Sequence, residues 1–491
     1  GADTVHSDQG DDVIYGGAGF DSFYGEDGND TLIGGTGSDY MEGGAGDDTY
    51  IYNVGDGLDT IYDYENSSST GKNDKIKFGE GIEFSDLTFR REGNSLIITL
   101  FGDITQGITI KEHFNSNYSI EYLEFADGSI KNLTEMGFAF QQTDGHDNIT
   151  GTIYNDIIYG NGGNDTISGG NGNDTLVGGK GNDSLKGEAG DDTYIWNSGD
   201  GFDTITEASG TDKIVFGEGI SFENLTFERD GNSLNIYVNN DKTQGIQIYN
   251  YFYSSSYNVE TLEFADGSTV NLTQIGLTFN QHDGSENISG TNYDDIIYAE
   301  GGDDTINAQN GNDTIYGGSG NDSIDAGNGN DILVGGTGDD SLNGNAGNDT
   351  YIYNLGDGFD IITDSAGTDK VKFGEGINFE DLKFTADGNN LNIYINDDKT
   401  QGFQIYNYFY SDSYKIETLE FADGSTINLS QTGLTLNQHN GSENISGTNY
   451  DDIIYAAGGD DTISAQNGND TIYGGSGNDT IDAGSGNDIL I

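Results

Sequence analysis

The chain has 491 residues, with 79 glycines, no cysteine, no proline, and 85 acidic against 17 basic side chains for a formal net charge of -68. A surface so acidic makes nucleic acid an unfit partner, the lack of cysteine excludes a disulfide framework, and no apolar run approaches the ~18 residues of a membrane span. No signal peptide opens the sequence, and without proline no slow cis/trans step enters folding.

Residues 1–75 begin with six copies of a nonapeptide, Gly-Gly-x-Gly-x-Asp-x-U-x, in which U is large and apolar. A clean copy stands later, at Gly169-Gly170-Asn171-Gly172-Asn173-Asp174-Thr175-Leu176-Val177. If nine residues make half of a flattened coil, glycines at positions 1, 2 and 4 are expected to take positive φ and turn tightly. The Asp at position 6 then projects a carboxylate at the bend, and positions 7 to 9 form a short strand whose middle residue faces inward. Position 8 in this run is Val5, Ile14, Phe23, Leu32, Met41 and Tyr50. A disordered tract rich in Gly, Asn and Asp has no cause to place a hydrophobe at every ninth residue. Beyond the sixth copy the same phase returns at Asp59 with Ile61 and at Asp74 with Ile76.

Residues 76–142 differ in character, and two later segments, 215–281 and 372–438, are related to them through landmarks such as Phe216-Gly217-Glu218-Gly219-Ile220 and Leu262-Glu263-Phe264-Ala265-Asp266-Gly267. Alternating apolar residues with Asp-Gly turns at Asp230-Gly231 and Asp266-Gly267 predict antiparallel strands joined by hairpins. These segments are read as caps over the open ends of the repeat runs, with aromatic clusters such as Tyr249-Asn250-Tyr251-Phe252-Tyr253 packed over the core. A carbohydrate-binding aromatic face is the functional rival.

The nonapeptide resumes in residues 143–214 with six copies, in 282–371 with eight, and in 439–491 with six in a truncated run. Position 8 is apolar in every one, from Ile149 through Tyr194, Ile288 through Tyr351, and Ile445 through Leu490. Tails recur at Asp203 and Asp212, and at Asp360 and Asp369. Asp200-Gly201 and Asp357-Gly358 lie 157 residues apart, so one module is repeated in tandem. The sequence opens at Gly1 in mid-repeat and stops at Ile491 on the ninth position of another, and is expected to be a piece of a longer protein or one section of an array.

Acidic residues recurring at the same bends repel one another unless a cation intervenes. Calcium takes six to eight oxygens from carboxylates and main-chain carbonyls, and glycine-rich turns expose carbonyls freely. Bends on one edge are 18 residues apart, so a sandwich site needs two copies 18 residues apart, giving roughly 18 regular sites and up to about 24 with the tails. No Gly-x-Ser-x-Gly elbow, His-Glu-x-x-His helix or Gly-Lys-Ser/Thr loop is present, so no enzymatic role is expected. His282 and His439 stand at equivalent run starts, a place for turn chemistry rather than catalysis.

Residues 1–61, 143–214, 282–371 and 439–491 resemble the RTX repeats of bacterial type I secreted proteins, and the intervening segments look like the haemolysin-type calcium-binding-related domain. The resemblance implies an all-β fold: parallel β-roll (β-helix) blocks of nonapeptide repeats alternating with antiparallel β capping segments in an elongated tandem array. It also implies a ligand scheme for each calcium ion. Carbonyls of positions 2 and 4 and the position 6 carboxylate come from one turn, and carbonyls of positions 1 and 3 with a second carboxylate from the turn one coil on.

Carried over to the first run, the scheme joins Gly1 and Asp3 to Gly16, Ala18 and Asp21, and Asp8, Gly10 and Asp12 to Gly25, Asp27 and Asp30. It likewise joins Gly17, Gly19 and Asp21 to Gly34, Thr36 and Asp39, and Glu26, Gly28 and Asp30 to Gly43, Ala45 and Asp48. In the second run Thr143, Gly145 and Asp147 meet Gly160, Gly162 and Asp165, and Thr152, Tyr154 and Asp156 meet Gly169, Asn171 and Asp174. Asn161, Gly163 and Asp165 then meet Gly178, Lys180 and Asp183, and Gly170, Gly172 and Asp174 meet Gly187, Ala189 and Asp192.

In the third run the sets are His282, Gly284 and Glu286 with Ala299, Gly301 and Asp304, and Thr291, Tyr293 and Asp295 with Ala308, Asn310 and Asp313. Next come Glu300, Gly302 and Asp304 with Gly317, Ser319 and Asp322, and Gln309, Gly311 and Asp313 with Ala326, Asn328 and Asp331. Gly318, Gly320 and Asp322 with Gly335, Thr337 and Asp340, and Gly327, Gly329 and Asp331 with Gly344, Ala346 and Asp349, complete it. In the fourth run His439, Gly441 and Glu443 meet Ala456, Gly458 and Asp461, and Thr448, Tyr450 and Asp452 meet Ala465, Asn467 and Asp470. Ala457, Gly459 and Asp461 meet Gly474, Ser476 and Asp479, and Gln466, Gly468 and Asp470 meet Ala483, Ser485 and Asp488. Glu286 and Glu443 depart from the pattern at position 6, as does Thr152-Ile153-Tyr154-Asn155 in place of glycines.

The functional expectation is a calcium-binding structural module that is disordered where calcium is scarce and folds outside the cell. Family resemblance implies export by type I secretion machinery to the extracellular space or the cell surface. The shaft or spacer of an adhesin or surface-layer protein is the first reading; the carboxy-terminal region of a pore-forming toxin (a cytolysin) and the RTX region of a secreted hydrolase are the alternatives.

Overall fold

The computed structural model describes residues 1–64, 73–115 and 117–491, in which all extended regular structure is β-strand, joined by short 3-10 turns. Contacts divide the chain into two compact units, Gly1–Leu225 with Asn232–Leu272, and Thr226–Gly231 with Thr273–Ile491.

Within the first unit every nonapeptide supplies one strand, and strands 18 residues apart pair in parallel. Ile149 sits beside Ile167 and Ile167 beside Leu185 in one sheet, and Ile158 beside Leu176 and Leu176 beside Tyr194 in the other. Successive repeats therefore alternate between two sheets, and position 8 from both fills the space between them. These side chains are buried along the runs; only at the outermost coils are Val5 and Ile481 half-buried and Leu490 53% exposed. Two apolar side chains for eighteen residues of ordered backbone make a thin core, so burial alone does not offset chain entropy. The tails of the second run keep the ladder by absorbing two extra residues: Ser184 pairs with Thr204 and Thr193 with Lys213.

The intervening segments do form the expected hairpins, for example Leu87–Glu92 with Ser95–Leu100, and Thr261–Glu263 with Thr269–Asn271. They do more than close an end. In the first unit the strand Asp103–Ile110 pairs in parallel with Leu58–Ile61 of the roll, and Phe89 of the same hairpin meets Phe140, whose strand runs on into the second roll. The other sheet stops: Tyr122–Glu124 extends Lys75–Phe78, and Ile130–Asn132 pairs with it antiparallel as the edge. The second unit repeats this, with Asp398–Ile405 on Phe359–Thr363 and Phe384 beside Leu436. The first and third segments thus each hand one sheet to the next roll and terminate the other. The aromatic cluster packs only in part: Tyr251 is buried with its hydroxyl donating to Leu272 O at 3.0 Å, whereas Tyr249 and Tyr253 are 47% and 69% exposed.

The expectation of positive φ at all three glycines is corrected. Positions 2 and 4 adopt it, as Gly170 at 109° and Gly172 at 112°, but position 1 does not. Among the described residues, nine non-glycine residues at position 2 are nevertheless held left-handed, including Glu26, Gln309, Gln466 and Ala457 at 69°. Such a conformation strains a residue with a Cβ, so Ala457→Gly is expected to stabilise the calcium-loaded fold by about 0.5–1 kcal/mol, read by denaturation at saturating calcium. A loss of stability would contradict the strain.

Candidate calcium sites

The bend that carries position 6 is built by a coil-to-coil ladder. The Asp156 N–H donates to Asp174 Oδ1 at 2.8 Å, Asp165 N–H to Asp183 Oδ1 at 2.7 Å, and Asp174 N–H to Asp192 Oδ1 at 2.7 Å. The same bond recurs from Asp12 to Asp30 and from Asp304 to Asp322. One oxygen of each carboxylate is committed to the backbone. The other is buried without a hydrogen-bond partner at Asp21, Asp30, Asp39, Asp59, Asp165, Asp174, Asp183 and Asp192, at Asp304, Asp313, Asp322, Asp331, Asp340 and Asp349, and at Asp461 and Asp470. Glu286 and Glu443 leave Oε2 in the same state, so the longer side chain still reaches the bend. An unpaired anionic oxygen out of water costs several kcal/mol, which a cation between the bends offsets.

Position 1 glycine has a different task from the one its φ suggested. A Cβ on Gly169, Gly178, Gly317 or Gly335 would stand inside 3.0 Å of the Oδ2 of its own repeat's Asp. On Gly16, Gly25, Gly160 and Gly317 it would also meet the carbonyl oxygen of position 1 one coil on, at 2.5 Å. The glycine keeps open a space lined by carboxylate and carbonyl oxygens, the all-oxygen donor set a hard cation takes. Position 3 carbonyls line the same edge: Ala189 O accepts from Gly172 N at 2.9 Å and Asn328 O from Gly311 N at 2.9 Å, each with a second lone pair left. The register pairs the remaining turn residues of the scheme, as Gly162 with Lys180, Gly301 with Ser319, and Gly458 with Ser476.

The run starts are different. Asp156, Asp295 and Asp452 have both oxygens occupied, Oδ1 by Phe138, Leu277 or Leu434 N–H and Oδ2 by the threonine four residues earlier, Thr152, Thr291 or Thr448. The Thr-x-Tyr turn closes its own aspartate, so these three sets present one open carboxylate instead of two. The His282 imidazole is half exposed, 3.6 Å from Glu228, and only its carbonyl belongs to the scheme.

Two sets of residues escaped the sequence reading. Position 5 Asn and Asp form a second ladder running the opposite way, as Asp191 N–H to Asn173 Oδ1 at 3.0 Å and Asn330 N–H to Asn312 Oδ1 at 2.9 Å. Glu121, Glu260 and Glu417 of the intervening segments extend the position 6 ladder, accepting from Asp74, Asp212 and Asp369 N–H at 3.0, 2.7 and 2.7 Å. Their identical place before the second landmark is the signal that comparing modules could have supplied.

Stretches within residues 1–59, 142–205, 282–380 and 439–490, more than half of the chain, match the RTX calcium-binding nonapeptide repeat. The chain belongs to the RTX calcium-binding repeat family. Residues 96–133, 234–274 and 390–431 match the haemolysin-type calcium binding protein related domain. Over 106 residues this RTX chain is 36% identical to the iron-regulated protein FrpA of Neisseria meningitidis serogroup C, a match that spans 21% of this chain and 9% of that protein. The crystal structure of the extracellular lipase LipA from Serratia marcescens aligns with 23% identity over 47% of this chain and 37% of that chain, with a TM-score of 0.19.

Burial pushes the RTX carboxyls up: Asp174 to about 7, and Asp203 and Asp313 to about 8, against the lowering effect of the ladder hydrogen bond. The calcium-free fold therefore binds more protons than the unfolded chain, and its stability falls as pH rises from about 4 to about 8. In chelator, circular dichroism is expected to show β-structure gained on acidification through this window. At saturating calcium, where the cation has displaced those protons, the signal is expected to stay level from pH 8 down to about 5. Structure gained on raising the pH of the chelated chain would contradict the sign.

Proposed function

We propose that this RTX chain is a calcium-actuated structural segment of a secreted or cell-surface bacterial protein, the shaft or spacer of an adhesin or surface-layer type assembly, with no catalytic role of its own. The observation that carries the reading is the file of buried aspartates with an unpartnered oxygen, stacked coil on coil in the interior of the runs. Such a chain is a self-repelling polyanion where calcium is scarce, fit to pass the type I machinery that exports proteins of this kind, and it zips up where calcium is millimolar. Repetition of whole modules suits a spacer, since each added module adds length without new chemistry. No helix among the described residues is long and apolar enough to cross a membrane.

The test is the parent protein with one or two modules deleted. A spacer retains its binding or assembly activity with reach reduced per module. Loss of hydrolysis or of pore formation on the same deletions would replace this reading with the enzyme or cytolysin alternative.

A further inference from the structure

At the last coil of each of the first three runs the nonapeptide changes in two places at once. Position 8 is tyrosine, at Tyr50, Tyr194 and Tyr351, the three copies in which it carries a hydroxyl. Position 1 one coil on, glycine or alanine inside the runs, is Asp63, Glu207 or Asp364. The fold brings these changes together. Asp192, Glu207 and Asp212 place carboxylate oxygens within 4.8 Å of one another, as do Asp349, Asp364 and Asp369, and Asp48, Asp63 and Asp74. All nine residues are buried.

The tyrosine hydroxyl donates to the new carboxylate, to Glu207 in the second run and to Asp364 Oδ2 at 2.6 Å in the third. The other oxygen of that carboxylate is held by the main chain, Glu207 Oε2 by Ala208 N–H at 3.2 Å and Asp364 Oδ1 by Ser365 N–H at 2.6 Å. Asp192 Oδ2 and Asp349 Oδ2, 1% exposed as residues, accept no hydrogen bond. They are aimed into the same space: a Cβ on Gly187 would stand inside 3.0 Å of Asp192 Oδ2, Tyr194 Oη and Glu207 Oε1, and one on Gly344 inside 3.0 Å of Asp349 Oδ2, Tyr351 Oη and Asp364 Oδ2. The charges acting on Glu207, Asp364 and Asp369 are all acidic.

We propose that each of these three clusters is a calcium site of a second kind, closed by three carboxylates and a tyrosine hydroxyl, which binds more tightly than the two-carboxylate sites along the runs. The inference rests on the calcium-binding reading of the repeats and gives three of its tail sites a third carboxylate and a hydroxyl. Affinity for calcium rises with the number of charged ligands and the rigidity of the site. Here a third charge is added, and two of its holders are tied to main-chain donors. Because Asp212 and Asp369 also receive the segment glutamates Glu260 and Glu417 on their N–H groups, the ion joins the last coil to the segment that follows.

The probe is Tb³⁺, excited through tyrosine, on the full 491-residue chain, alongside calcium counting by equilibrium dialysis. The expected result is a tight class of three ions per chain with tyrosine-sensitised emission. Asp63→Asn, Glu207→Gln and Asp364→Asn together should weaken that class about tenfold or more. A second variant, Glu207→Gly, restores the pattern of an interior repeat and so guards against misfolding; it should fold in calcium yet lose one ion of the tight class. Asp165→Asn with Asp313→Asn should weaken the run sites and leave the sensitised class intact. Unchanged binding in the triple variant, or stabilisation of its calcium-free form with no ion lost, identifies the clusters as protonated structural contacts and overturns the proposal. A wild-type chain that takes up no calcium at all would instead defeat the repeat reading, and circular dichroism separates the two failures.

Discussion

Excess chelator at neutral pH is expected to unfold the repeat runs and swell the chain toward a radius of gyration of about 80 Å, the size of an unfolded polymer of this length. The formal net charge of -68 is not spread evenly, because most of the position 6 carboxylates are stacked and desolvated in the runs. Each run is a column of like charges whose apolar core is two side chains per coil, so removing the counter-ion leaves repulsion and chain entropy unopposed. Small-angle scattering with far-ultraviolet circular dichroism reads the transition, and added calcium should reverse it. Sodium chloride at matched ionic strength should not restore the fold, because screening over a Debye length of about 8 Å acts on exposed charges and not on buried ones. Magnesium should fail too, since it demands a small octahedral shell and keeps its waters. Retention of full β-structure in strong chelator would refute calcium-coupled folding.

Asp174→Ala is expected to have one of the largest effects of any single substitution in the second roll. Its carboxylate belongs to two successive sets on one edge, with Asp156 and with Asp192, and its Oδ1 accepts from Asp156 N–H at 2.8 Å. At calcium a hundredfold above Kd each site contributes about 2.7 kcal/mol, so the loss of two removes about 5 kcal/mol of calcium-dependent stability. Asn173→Ala, one residue away on the outer ladder, removes the acceptor for Asp191 N–H and should cost only about 1 kcal/mol. Calcium titration of both variants, with hydrogen exchange across residues 147–214, separates a ligand from a structural contact. Equal effects at the two positions would mean that the position 6 carboxylate serves packing alone.

The parts of this fold that follow a short period were legible in the residues. An apolar side chain at every position 8 and an acid at every position 6 give the two faces of the coil, and the slip before Asp203 and Asp212 is visible because the phase resumes after it. Position 1 glycine was read for the wrong reason: its φ is ordinary, and what forbids a side chain at Gly169 is the Asp174 carboxylate in the space a Cβ would take. Position 5 passed unnoticed because Asn and Asp in a turn look like generic turn chemistry. Their partner lies 18 residues away, and only the stacked coils put it in reach.

Local pattern thus settles the repeat, its inward residue, its carboxylate edge and the tandem module, because each depends on residues within nine or eighteen positions of one another. Stacking alone decides the rest. It carries one sheet of a roll through the following segment while the other ends at Ile130–Asn132, and it sets Glu207 against Asp192 and Asp212. Those outcomes follow from which strand edges remain unpaired after the last coil and from a hydroxyl and three carboxylates converging from separate turns, and neither has a period in the chain.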